Sequence, residues 1–124
     1  MWLENNISNN INDEIKKYAI INTYDFSKEK KDTFLENKNI KKNLHSNIKN
    51  GITYYSDFTR MLLLYKYGGC WFDLDVLFLR DFSPLFSKFS DEICLYAWGK
   101  ENYPNNAIII SLEPYSNKLK NIIE

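Results

Sequence analysis

Apolar side chains are spread unevenly along this chain, and the densest run lies between Tyr54 and Leu85. Phe58, Met61, Leu62, Leu63, Leu64 and Tyr65 leave few polar positions, which predicts a largely buried helix. Ser56 suits its N-cap, and Asp57 in the first turn suits the positive end of the helix dipole. Gly68 and Gly69 predict the stop, since Gly readily takes left-handed cap geometry. The pattern then changes to period two. Cys70, Phe72, Leu74, Val76 and Phe78 share one face of an extended segment, Cys70 to Leu79. Trp71, Asp73, Asp75 and Leu77 share the other.

Weaker signals lie on either side. Asn12 suits the cap of a short helix reaching Tyr18. Tyr18 to Tyr24 is short, apolar and β-branched, and reads as a strand. Phe26 to Asn50 is polar and Lys-rich, with Phe34, Leu35, Ile40, Leu44 and Ile48 at roughly helical spacing, predicting one or two short surface helices. A helical turn is expected near Pro84 to Lys88. Glu92 to Ala97 and Ala107 to Ser111 read as strands, separated by a Gly- and Pro-bearing loop. Pro114 to Glu124 reads as a helix capped near Ser116. The four predicted core strands are apolar enough to be buried on both faces, as in a parallel-type sheet.

Composition narrows the classes of partner. Sixteen basic and sixteen acidic residues cancel to zero formal charge, so nothing points to nucleic acid or an anionic membrane. No apolar run is long enough to span a bilayer, and no signal peptide is visible. The two cysteines, Cys70 and Cys94, lack metal-like spacing and read as buried free thiols. The single histidine, His45, reads as a surface residue. A length of 124 residues allows one domain at most.

The chemistry concentrates in the Tyr54–Leu85 stretch. Asp73 and Asp75 aim two carboxylates the same way at the end of an apolar strand, at a cost in repulsion and desolvation. A hard divalent cation, magnesium or manganese, would remove that cost. Asp57 and Arg60, three apart on the helix, share a face and could simply form an intrahelical ion pair of small worth.

In order, the stretch holds Ser56, Asp57, Arg60, an apolar helix, Gly68, Gly69, Trp71, Asp73 and Asp75. This pattern resembles the sugar-binding region of DXD-containing glycosyltransferases, the group of initiating mannosyltransferases, capsular polysaccharide transferases and bacterial glucosylating toxins. The resemblance implies an α/β fold of the GT-A type, Rossmann-like and nucleotide-sugar-binding. It implies transfer of a sugar from a UDP- or GDP-sugar to a hydroxyl of a glycan or other acceptor, with manganese or magnesium as cofactor and with retained anomeric configuration. By position, Asp75 corresponds to the direct ligand of the cation. Asp73 corresponds to the carboxylate near the metal that contacts ribose and donor sugar, and Asp57 and Arg60 to the pair that holds sugar hydroxyls. Asn106, just before a strand, matches a recurring Asn of the donor site, although a turn-forming Asn-Asn is an equal reading. No nucleophile is assigned.

Against the family pattern, residues 1–124 read as a single partial catalytic domain, lacking the first strand and the later closing strands. A non-catalytic remnant with weak or no donor binding therefore stands as the alternative. A metal-dependent phosphoesterase using Asp73 and Asp75 is a more distant one, since it would need further ligands. The expected location is cytoplasmic, with membrane association only through other regions or partners.

Overall fold

The structure, a computed structural model, describes residues 2–4, 13–17, 19–20, 22–37, 51–88, 94–97 and 104–123. Two compact units divide the chain, Met1–Lys38 and Asn39–Glu124.

In the first unit, strand β1 (Trp2–Glu4) pairs in parallel with β2 (Asn22–Tyr24), Leu3 lying opposite Thr23. Helix α1 (Asp13–Lys16) lies between them in sequence, as a parallel pair requires a crossover. The strand expected from Tyr18 is shorter: Ala19 and Ile20 are irregular, and Tyr18 and Ile21 lie outside the described residues. Helix α2 (Phe26–Glu29) is capped by Asp25, whose Oδ1 accepts from the Ser27 amide at 2.9 Å. Phe26 of this helix and Leu35 after it are the buried apolar side chains among the described residues of this unit. His45 and the apolar positions 40, 44 and 48 lie outside the described residues.

The second unit is built on helix α3 (Gly51–Tyr67). It begins earlier than expected, so Ser56 is an interior residue of the helix and not its cap. Leu62, Leu63, Leu64 and Tyr65 are all buried. Four consecutive positions sweep most of a helix's circumference, so this part of α3 is covered nearly all round. The helix ends where the glycines predict. Gly68 has φ +67° and donates to the Leu64 carbonyl at 2.8 Å. A Cβ there would stand 2.2 Å from the Leu112 carbonyl oxygen, so both conformation and space demand glycine.

Strand β3 (Gly69–Phe72) then pairs antiparallel with β5 (Pro104–Ser111), and β5 pairs antiparallel with β4 (Cys94–Ala97). The expected parallel-type sheet is therefore replaced, in this unit, by an antiparallel one of order β3-β5-β4. For β4 and β5 the physical reason is the link from Ala97 to Pro104, which is far shorter than the dozen or more residues a parallel crossover takes. Ile109, Ile110 and Ser111 of β5 are buried. Helix α4 (Asn117–Ile123) seats the fully buried Leu119, whose amide donates to Ser116 Oγ at 3.3 Å, the expected cap. Helices and strands are mixed as an α/β class requires.

A second correction concerns the segment Cys70 to Leu79. The strand stops at Phe72. The Asp73 amide still donates to the Ala107 carbonyl at 2.8 Å, and then the Val76 amide donates to the Asp73 carbonyl at 3.0 Å, closing a turn. Beyond it Leu74, Leu77, Phe78 and Leu79 are exposed, Leu74 almost completely so at 99%. The ladder ends because the Ala107 amide, which would return a bond to the Asp73 carbonyl, donates instead to Asn105 Oδ1, while that carbonyl accepts from Val76. The aromatic residues of this segment pack on one another instead. Phe72 meets Phe78 and Phe82 edge to face, with centroids 4.8 and 5.1 Å apart.

Candidate functional site

Helix α3 and strand β3 form a return path around Gly68 and Gly69. From Arg60 to Tyr67 the helix rises about 10 Å, at about 1.5 Å per residue. Four strand residues span about 13 Å, at about 3.3 Å each. The chain end of β3 thus comes back level with Arg60, and the side chains thirteen residues apart meet. Arg60 Nη1 donates to Asp73 Oδ1 at 2.9 Å.

Strand β5 contributes the third wall. Against β4 its register slips: Leu95 faces Ile109, but the next residue, Tyr96, faces Asn105. Asn106, Ala107 and Ile108 therefore sit in a bulge, a device that re-aims side chains. Asn105 Oδ1 accepts from the Ala107 amide at 2.7 Å and stabilises this shape. Asn106 Nδ2 donates to Asp57 Oδ1 at 2.8 Å, and the Asn106 carbonyl accepts from Arg60 Nη1 at 2.8 Å.

Arg60 is the centre of the cluster. Its side chain is only 7% exposed, while those of Asp57 and Asp73 are 33% and 31% exposed. Nη2 lies 3.2 Å from Asp57 Oδ1 and donates weakly to Ser56 Oγ at 3.4 Å. The guanidinium also stands over the Trp71 ring, 5.1 Å from its centroid. The buried Nε has no partner among the described residues. An unpaired buried donor costs about 1–3 kcal/mol, which the two charge-assisted carboxylate bonds offset. Two carboxylates around one guanidinium leave one negative charge uncompensated.

The expected intrahelical pair of Asp57 and Arg60 exists, but it is part of this tertiary network and not a solvated brace. Asp57, Arg60, Asp73 and Asn106 are brought together. Asp75 is placed apart from their hydrogen bonds. It is exposed in the turn after β3 and makes no hydrogen bond or ion pair among the described residues. Since the strand ends at Phe72, the period-two argument that put Asp73 and Asp75 on one face does not apply. Sequence reasoning gave Trp71 no role, yet its Nε1 donates to Asp73 Oδ1 at 2.7 Å. The signal was its position two residues before Asp73.

The donor set can be tested against a divalent cation. Asp73 spends Oδ1 on Arg60 and Trp71, leaving Oδ2 open. Asp75 has both oxygens open. Among the described residues no cluster of three metal-ligating side chains occurs. Two carboxylates two residues apart do not cage calcium, but magnesium or manganese is held by one or two carboxylates with other ligands completing the shell. The open oxygens of Asp73 and Asp75 fit such a cation.

Residues 3–107 match the family model for the glycosyltransferase sugar-binding region containing a DXD motif. The chain belongs to this family. The Asp57, Arg60, Asp73 and Asn106 cluster of this glycosyltransferase domain lies within the matched span, and Asp73-Leu74-Asp75 is its DXD sequence. No curated protein and no solved structure matches the chain. Among the described residues no helix is long and apolar enough to cross a membrane.

Proposed function

We propose that this domain, on a GT-A type fold, binds a UDP- or GDP-sugar and transfers the sugar, with retention, to a hydroxyl of a glycan or similar acceptor. One observation carries the reading: a buried arginine ties carboxylates from a helix and a strand end to a bulged Asn, with oxygens left open. Oδ2 of Asp57 and Oδ2 of Asp73 are free to accept hydrogen bonds from sugar hydroxyls, and such acceptors fix orientation. Asn106 and Arg60 hold both carboxylates before the donor arrives, so little reorganisation is required on binding.

Asp75, with Asp73 Oδ2 beside it in sequence, would hold manganese or magnesium. When bound, the cation supplies positive charge against the leaving diphosphate. Arg60 is paired with Asp57 and Asp73, so its part is to hold those carboxylates and it adds no net positive charge to the region. The chain's own residues thereby bind and orient the donor. No side chain is assigned as nucleophile, in keeping with front-face attack by the acceptor hydroxyl.

Calorimetry with manganese and a nucleotide sugar, set beside the free nucleoside diphosphate, tests the proposal. Binding of both should require the metal, and Asp75→Asn, which keeps shape but removes charge, should abolish the metal dependence. Metal-independent binding that survives Asp75→Asn would remove the cation from the reading. Absence of any nucleotide-sugar binding would favour the non-catalytic alternative.

A further inference from the structure

Trp71 sits at the junction of the two charges that matter most, and it meets them through different parts of one ring. Its edge donates from Nε1 to Asp73 Oδ1 at 2.7 Å, and its face receives the Arg60 guanidinium, 5.1 Å from the centroid. Arg60 donates to that same Oδ1 at 2.9 Å. One carboxylate oxygen thus takes two donors that are themselves stacked against each other. The indole is a donor only and cannot exchange roles. A rigid ring with two torsions also loses little entropy on being held.

We infer that Trp71 is a positioning residue: by fixing Oδ1, its indole sets the direction in which Asp73 presents Oδ2 to the donor sugar. This rests on the donor-binding reading above for its consequence, but not for its geometry. Without the indole N–H, Asp73 keeps only the Arg60 bond on Oδ1 and can rotate about its terminal torsion, which is intrinsically broad. The Arg60 stack would persist on any aromatic face, so ring and N–H are separable by substitution. Trp71→Phe removes the donor and keeps the face. Trp71→Ala removes both.

Two measurements on the full chain test this. The three tryptophans give three indole N–H signals in a nitrogen-15 spectrum, and the one absent from Trp71→Phe is that of Trp71. In the parent it should be shifted downfield and exchange slowly. Asp73→Ala, or Asp73→Val if the alanine variant does not fold, removes the acceptor and should move the signal upfield and speed its exchange. A Trp71 signal indifferent to Asp73 overturns the proposal whatever the chain binds. The second measurement is nucleotide-sugar affinity in a double-mutant cycle. Trp71→Phe should weaken binding about tenfold in the parent and have no further effect in the Asp73→Ala background. Equal losses in both backgrounds would mean that Trp71 acts independently of Asp73 and overturn the positioning role. A parent that binds no nucleotide sugar defeats the donor-binding reading, and the indole signal alone then decides the position of Trp71.

Discussion

Arg60 and Asp73 stand thirteen residues apart in the chain and 2.9 Å apart in space, joined across the turn made by Gly68 and Gly69. That pair converts a helix residue and a strand-end residue into one site. It also separates a structural brace from a binding element by experiment. Removing a side chain from a buried ion pair is costly because its partners stay behind, but both carboxylates here keep about a third of their exposure. Arg60→Ala should therefore cost about 1–3 kcal/mol in denaturant unfolding. It should also lower nucleotide-sugar affinity by at least about tenfold, or about 1.4 kcal/mol. Arg60→Lys should recover part of the stability and little of the affinity, since one ammonium cannot reproduce the fork.

Asn106 works through both its side chain and its backbone. Asn106→Ala removes the Nδ2 donor to Asp57 and keeps the carbonyl for Arg60, so it should cost about 1 kcal/mol. Asn106→Asp places a carboxylate against Asp57 and should cost more. Chemical denaturation of the parent and both variants checks the order; an Asn106→Ala midpoint equal to that of the parent would mean the amide is idle.

The two glycines are unequal. Gly68→Ala meets the Leu112 carbonyl at 2.2 Å, whereas a Cβ on Gly69 meets nothing within 4 Å. Gly69→Ala should cost the strain of its positive φ alone, about 1–3 kcal/mol. Gly68→Ala should cost more, because the backbone of residue 112 must move as well. Thermal unfolding of both variants decides it.

Leu74 tests where the strand ends. Its side chain is 99% exposed, while Ile109 is fully buried. Leu74→Ala should lie within about 0.5 kcal/mol of the parent, and Ile109→Ala should cost about 2–5 kcal/mol. A large loss from Leu74→Ala would mean that the strand continues past Phe72.

Cys70 is free and half-buried, and burial pushes its thiol above the ordinary value of 9.0. In a Cys94→Ser variant it should be alkylated at pH 8 more slowly in the folded chain than after unfolding, because less thiolate is present. The stability consequence has a fixed sign. The folded state holds this proton more tightly, so the contribution is complete below pH 9 and is lost as pH rises through the folded value. Unfolding midpoints taken upward from pH 9 should fall less steeply in Cys70→Ser.

Local rules made much of the second unit legible in the sequence. The apolar run 61–65, the Gly68 stop, the Ser116 cap and the pairing of Asp57 with Arg60 each depend on neighbours within about one helical turn, where geometry follows from residue type. The same locality misled at Ser56. A sound capping residue is overridden when upstream residues extend the helix, because a cap is worth only about 1 kcal/mol and propagation adds a backbone bond per residue. Segments distant in the chain decided the rest. The strand from Cys70 ends at Phe72 because the Ala107 amide turns to Asn105 and not to the Asp73 carbonyl, and no pattern within residues 70–79 records that. Antiparallel pairing of β5, its bulge at Asn106 to Ile108, and the burial of Arg60 between two carboxylates all arise from contacts spanning many residues. Residue type and order named the charged groups and the Asn of the site, though not the role of Trp71. Which oxygens those groups leave open follows from the fold, because the paired strands and the returned helix set the directions of the side chains.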